Sequence, residues 1–303
     1  MKNMDAGTVK GFGDEWNTFS HSDIDIESFR DQFERYFSVL PTDCPNADTR
    51  AFDLGCGSGR WAWFVAPRVR ELCCIDASDK ALDVARRNLQ AFDNCTFHLA
   101  SVEALPMADA SMDFGYSLGV LHHVPDTQAA LCSCARKLKP GGIFLVYLYY
   151  AFDNRPAWFR GLWKCSDILR RGISRMPYPP RLWLSQVIAL GVYWPLARLA
   201  LWLEKIGVNV NNLPLSAYRH LPFYAMRTDA LDRFGTRLEQ RFTRQQIESM
   251  LVAAGFENIH FSEHDPFWCV CASRRNEAME QFSNAENQLV TQGSGGAGGR
   301  ENH

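Results

Sequence analysis

Apolar and polar positions fall into alternating blocks over residues 48–150. Short apolar runs of strand length stand at Ala51–Leu54, Leu72–Ile75, Thr96–Leu99, Met112–Ser117 and Ile143–Tyr150. Between them, apolar residues recur every three or four positions, as on one face of a helix. Strand and helix in turn predict a parallel, doubly wound α/β sheet. Ser78 is placed to cap a helix from Asp79 to about Phe92, with Leu82, Ala85 and Leu89 on its inner face. Thr127–Leu138 is the next helix, closed by Lys139-Pro140-Gly141-Gly142. Further on, Thr243 caps a helix reaching Ala254, and Gly255 ends it. Phe256–Glu263 and Phe267–Ala272 then predict two strands around Asp265-Pro266. Upstream, Phe29, Phe33, Tyr36 and Phe37 sit at helical spacing.

Residues 151–240 break this rhythm and read as a helical insertion. Pro177-Tyr178-Pro179-Pro180 interrupts it. Val187–Leu203 is apolar almost all round a helix, which implies burial in protein or contact with lipid. Residues 226–240 are dense in charge and read as a loop returning to the sheet. From Asn276 the chain turns polar and glycine-rich, and a disordered tail over 276–303 is expected.

The chemistry concentrates after the first strand, in Asp53-Leu54-Gly55-Cys56-Gly57-Ser58-Gly59. A strand, a tight glycine turn and a helix start bring bare main chain and N–H groups against a ligand. A dinucleotide site and an S-adenosylmethionine site both begin this way. A pyrophosphate fingerprint needs Gly-x-Gly-x-x-Gly. Here the third glycine comes one place early, and Arg60 stands where it should be. Asp53, two residues before the first glycine, would repel a pyrophosphate but suits the ammonium group of a methionine moiety. Asp76 ends the second strand, where an acid accepts hydrogen bonds from both hydroxyls of an adenosine ribose.

The run Asp-Leu-Gly-Cys-Gly-Ser-Gly resembles the first motif of the class I S-adenosylmethionine-dependent methyltransferases, of the type 11-like group. Ala100–Met107 is similar to that family's adenine segment, with Ser101 where the family usually carries Asp; a serine accepts the same bond more weakly. Val120-Leu121-His122-His123, with Pro125 following, resembles its fourth-strand region. The helix, Ala-Gly-Phe and closing hairpin near the end fit too. The resemblance covers about residues 48–150 and 240–274. It implies a Rossmann-like, seven-stranded sheet with a closing antiparallel hairpin, plus the insertion. It divides the chain into an N-terminal helical lid segment (1–47), a cofactor-binding core (48–150), an insertion or substrate cover (151–240), the rest of the core (241–275) and the tail. Phe12 and Trp16 belong to the expected lid.

The expected cofactor residues are Asp53, Gly55, Cys56, Gly57, Gly59, Asp76, Ala77, Ser101, Val102, Ser117 and Leu118. His122 and His123 are the candidate general bases, at the carboxyl edge of the sheet where ligands bind in such folds. The Asn/Asp-Pro-Pro-Tyr signature of adenine methylases is absent. The expected activity is methyl transfer from S-adenosylmethionine to a small, hydrophobic acceptor. A nicotinamide-dependent oxidoreductase and a non-catalytic partner subunit of the same fold remain as alternatives.

Composition adds little except in one place. A net charge of −2 over 303 residues gives no reason to expect nucleic acid. The N-terminal residues carry no secretory pattern, so a cytoplasmic protein with ten reduced cysteines is expected, without a metal site. Between Arg155 and Lys205, however, nine basic residues face only Asp167 and Glu204, and five of the nine tryptophans lie there. A basic, tryptophan-bearing segment raises peripheral membrane contact as a second role for the insertion.

Overall fold

The computed structural model describes residues 3–11, 29–210 and 212–276. The expected lid aromatics Phe12 and Trp16, and the tail from 277, lie outside the described residues. Seven strands form one sheet in the order β3-β2-β1-β4-β5-β7-β6. They are β1 (Arg50–Leu54), β2 (Glu71–Asp76), β3 (Cys95–Leu99), β4 (Met112–Leu118), β5 (Leu138–Tyr147), β6 (Phe256–Phe261) and β7 (Cys269–Arg274). The first five are parallel; β7 runs antiparallel to β5 and β6. The order reverses between β1 and β4, which opens a crevice at the carboxyl ends of those strands.

The central strands read as continuous apolar runs because both faces are covered. One face packs Phe52, Ile75 and Phe144 against α4 (Thr127–Lys137) and α9 (Arg244–Ala253). The other packs Phe114, Tyr116 and Leu145 with Phe33 and Phe37 of α1 (Arg30–Phe37), Phe64 of α2 (Ala62–Val65) and Leu82 of α3 (Asp79–Asn88). Local signals set the helix starts. Ser78 accepts from the Ala81 N–H, Asp126 accepts from the Ala129 N–H at 2.9 Å, and Thr243 forms a capping box with Gln246.

Two boundaries differ from the sequence expectation. Helix α3 stops at Asn88 rather than near Phe92. Strand β5 starts at Leu138, before the Pro-Gly-Gly run, and stops at Tyr147. Leu138 pairs with Met112 across a bulge, so the lysine-proline-glycine segment is absorbed into the strand.

The insertion is helical: α5 (Ala157–Ile173), α6 (Tyr178–Ile188), a π-helical turn at Ala189–Tyr193, α7 (Trp194–Lys205) and α8 (Phe223–Gly235). The loop expected at 226–240 is thus corrected: α8 occupies most of it. Met226, Ala230 and Phe234 form its inner row, at i, i+4 and i+8, amid charged neighbours. That row packs with Ile173, Ala189, Tyr193 and Ala197 in a small core separate from those of the sheet. Two of the nine basic side chains between Arg155 and Lys205 are buried here. Arg170 donates to the Thr236 carbonyl at 2.9 Å and Arg181 to the Gly235 carbonyl at 3.1 Å, satisfying the orphan C-terminal carbonyls of α8.

Candidate functional site

The glycine loop leaves β1 under backbone control. The Gly55 and Cys56 N–H groups both donate to the Ile75 carbonyl, at 2.7 and 3.1 Å, which ties the loop to the end of β2. Gly55 has φ +78°, and a Cβ there would lie 2.4 Å from a Val120 methyl; Gly59 has the same φ and would strike Leu89 at 2.8 Å. Only glycine permits this turn at this distance.

Asp76 stands beside the loop. One carboxylate oxygen accepts from the Gly57 N–H at 3.0 Å and the other from the Ser78 N–H at 2.8 Å. Burial raises its pKa, and these backbone N–H groups pull it part of the way back. Asp53 is 2% exposed. Burial pushes its carboxyl up to about 8; the neighbouring Tyr116 hydroxyl offsets this in part, and the Asp76 charge adds to it. Its Oδ2 has no hydrogen-bond partner. An orphaned, buried carboxylate oxygen and a turn that a single Cβ would obstruct fit a ligand with a positive group approaching the main chain.

A cleft opens here. Gly55, Cys56, Asp76, Ala77, Ser101, Val102 and Leu118 of the expected residues line it. Asp53, Gly57 and Gly59 do not reach the wall: Asp53 is buried at the end of β1, and the two glycines shape the turn. Ser117 is turned away and donates to the Leu54 carbonyl at 2.9 Å, so its role is to join β4 to β1. The two histidines separate. His123 lines the cleft, whereas His122 lies behind it, 0% exposed and stacked on Tyr149 at 3.7 Å between centroids. Burial holds the His122 imidazole well below its usual pKa, so it is uncharged at neutral pH.

The segment returning from the insertion grips both. Gln240 N–H donates to the His122 carbonyl at 3.0 Å, and the Gln240 side chain bonds the Val124 carbonyl at 2.6 Å. His123 Nδ1 lies 2.7 Å from the Leu238 carbonyl. A carbonyl only accepts, so Nδ1 carries the proton and the neutral ring keeps its lone pair on Nε2. Asp232 Oδ1 lies 3.9 Å from that nitrogen, and its other oxygen accepts from the Tyr149 hydroxyl. Behind them Glu239 is held ionised, below its usual range despite burial, by Arg241 at 2.8 Å and Arg233 at 3.3 Å.

A further wall of the cleft is made by Asn3, Met4, Asp5, Thr8 and Val9, which fall in the segment expected as an N-terminal lid but were not named individually from the sequence. Asn3 holds it in place by a reciprocal pair with the Asp126 backbone, accepting at 2.7 Å and donating at 2.6 Å. This contact joins residues far apart in the chain and leaves no periodic trace. Arg60 and Trp61, also on the wall, stack cation over ring at 4.3 Å. Their place next to the glycine loop was the available signal.

Comparison with known proteins agrees with this geometry. Residues 52–146 match the family model of a methyltransferase domain. The chain is 28% identical to a ubiquinone biosynthesis O-methyltransferase of Thiobacillus denitrificans, over 52% of this chain and 67% of that one. It is 31% identical to the enzyme of the same name from Hahella chejuensis, over 51% and 64%. It is 35% identical to a demethylmenaquinone methyltransferase of Tropheryma whipplei, over 33% and 41%. The alignments thus span about two fifths to two thirds of these relatives' own lengths. The matched domain, the strand order with its closing hairpin and the glycine-loop cleft agree: residues 52–146 carry a methyltransferase domain, on a sheet of the class I S-adenosylmethionine-dependent type.

Proposed function

We propose that the chain moves a methyl group from S-adenosylmethionine to a hydroxyl of a small, hydrophobic acceptor. The cofactor supplies a sulfonium methyl that is already electrophilic. The protein has to hold the acceptor in line, exclude water and take up a proton. Asp76 would accept from the ribose hydroxyls, Ser101 and the Val102 backbone would meet the adenine edge, and Asp53 would face the ammonium group. Gly55, Cys56, Gly57 and Gly59 would bring main chain against the cofactor, with Ala77 and Leu118 beside it.

The observation that carries the acceptor class is the meeting of an apolar wall and one basic nitrogen in the same cleft. Met4, Val9, Val120 and Val124 line it together with His123. The relatives support the same class, since two are named as O-methyltransferases of ubiquinone biosynthesis and one as acting on demethylmenaquinone. His123 Nε2 is the proposed proton acceptor, and Asp232 would stabilise the imidazolium that forms. His122 then serves as packing that fixes its neighbour. Labelled S-adenosylmethionine, offered a phenol and a primary amine with matched apolar tails, tests the reading. Label on the phenol is expected; label on the amine alone overturns it. His123→Ala should lower turnover about 10²-fold with S-adenosylhomocysteine affinity unchanged. Intact turnover in that variant would remove His123 from the chemistry.

A further inference from the structure

We propose that the insertion docks on an anionic lipid bilayer and lies along its headgroup region. The inference deepens the reading above, because a hydrophobic acceptor is most concentrated at such a surface. Two helical faces carry it. From Tyr178 to Lys205 the buried positions are Arg181, Ser185, Ala189, Tyr193, Ala197 and Ala200, a row spaced by four and then three. The π turn at Ala189–Tyr193 keeps that row in line, and it packs toward α8. The outward row is Trp183, Val187, Leu190, Trp194 and Trp202, exposed at 67, 44, 62, 44 and 59%. Helix α5 is divided in the same way. Asp167, Arg170 and Ile173 are buried, while Trp158, Leu162 and Leu169 are exposed at 57, 54 and 64%.

A soluble surface helix shows water its polar face. These helices use their few buried polar groups to hold α8 and turn apolar rows outward. Exposed apolar rows of this length mark a docking site. The charge around it selects the partner. Arg160, Lys164, Arg171, Arg175 and Lys205 are exposed on the same segment. Its two acids are neutralised within the protein: Asp167 by Arg170 at 2.6 Å and Arg171 at 2.9 Å, and Glu204 by Arg219 at 2.8 Å. The outward charge is therefore positive. Exposed tryptophans with a basic surround match the chemistry of anionic headgroups over acyl chains.

The 28-residue helix Tyr178–Lys205 is long and apolar enough to cross a bilayer. Its packing argues for lying flat. One side is occupied by protein: Tyr178–Tyr193 packs on α8, and α7 packs on the turn at Ser216–Tyr218. At the far end Glu204 pairs with Arg219, so the chain turns back onto the same bundle.

Flotation of the full-length protein with vesicles tests the proposal. Binding to phosphatidylglycerol-rich vesicles is expected, weaker on pure phosphatidylcholine, with a blue shift of tryptophan emission. Trp183→Ser, Trp194→Ser and Trp202→Ser combined should lower partitioning about tenfold or more. If the triple variant misfolds, Trp194→Ser alone supplies the comparison. Failure of the wild type to float at low salt overturns the proposal. So does a dimer that the triple variant dissolves, since the face would then belong to a second copy. Titration with S-adenosylhomocysteine on the same samples separates the two readings: intact cofactor binding without flotation sinks the docking alone, and flotation without cofactor binding sinks the methyl transfer.

Discussion

The sheet and the insertion dispose of the same kinds of side chain in opposite ways. Among the described residues, the exposed large hydrophobic side chains all lie between Trp158 and Val208, except Leu99 and Val252. Phe52, Phe114 and Phe144 in the sheet are fully enclosed. The difference follows from layers. A central strand has helices over both faces, so every apolar residue has somewhere to go. The helices α5 to α7 have one covered side, supplied by α8 and the turn at Ser216–Tyr218, and their outer apolar rows are left for something outside the chain. An apolar run in sequence states only that water is avoided. Whether protein or another apolar phase takes its place is decided by the number of layers.

The largest effect expected from this contrast is in the sheet. Phe144→Ala should destabilise the fold by about 3–5 kcal/mol, because its ring stacks between Phe52 and Phe256, at 6.1 and 5.4 Å between centroids. Urea unfolding measures it. A loss below about 1 kcal/mol would mean that the sheet core tolerates cavities, and the contrast with the insertion would lose its basis.

Next comes the cleft. Asp76→Ala should weaken S-adenosylhomocysteine binding by roughly 2–4 kcal/mol, since a charged acceptor is lost and the Gly57 and Ser78 N–H groups lose their partner. Calorimetry reads it directly, and an unchanged affinity would exclude Asp76 from the site.

These two regions were also unequally legible. The strand, glycine turn and acid at residues 53–76 are demanded by backbone geometry: positive φ at Gly55 and Gly59 admits few residues, and Asp76 is set by its strand end. Such constraints leave their mark in residue identity. Helix α8 left none that could be read, because Asp229, Asp232 and Arg233 interrupt its apolar row. Those charges are answered by distant groups, the Tyr149 hydroxyl for Asp232 and Glu239 for Arg233. Arg170 and Arg181 misled in the same way: as letters they are surface charge, and as structure they are helix caps. The Asn3–Asp126 contact that walls the cleft is long-range and aperiodic, so no local pattern announces it.

A smaller effect links the cleft to pH. An unfolded chain ionises an aspartate near 3.9, and Asp53 in the fold ionises at about 8. Between those values the native state holds a proton that the unfolded state has lost, so this residue's contribution to stability falls as pH rises through that window. A bound ammonium group would favour the carboxylate. Binding of S-adenosylhomocysteine at neutral pH should therefore release up to about one proton per site. Calorimetry in buffers of different ionisation enthalpy counts it. Asp53→Asn should abolish the release. No release in the wild type would place the ammonium group away from Asp53.

The smallest expected effect is the sharpest test of the comparison. Leu190→Ser removes an apolar side chain from the most apolar helix of the chain, yet that side chain is 62% exposed. It belongs to the outward row and not to the buried row of Ala189 and Tyr193, which pack on α8. In water the substitution should change stability by no more than about 0.5 kcal/mol, as for other surface sites. Met226→Ala, a cut of similar chemistry on the inner row, should cost about 2–5 kcal/mol. Met226 is fully buried in the small core that holds the insertion together. If Leu190→Ser proves as damaging as Met226→Ala in urea unfolding without lipid, the outer row is already covered by protein in solution. The docking face would then be an interface between copies of the chain. If Leu190→Ser is silent in water but weakens vesicle binding, the apolar row has no role in holding the fold and its partner is the bilayer.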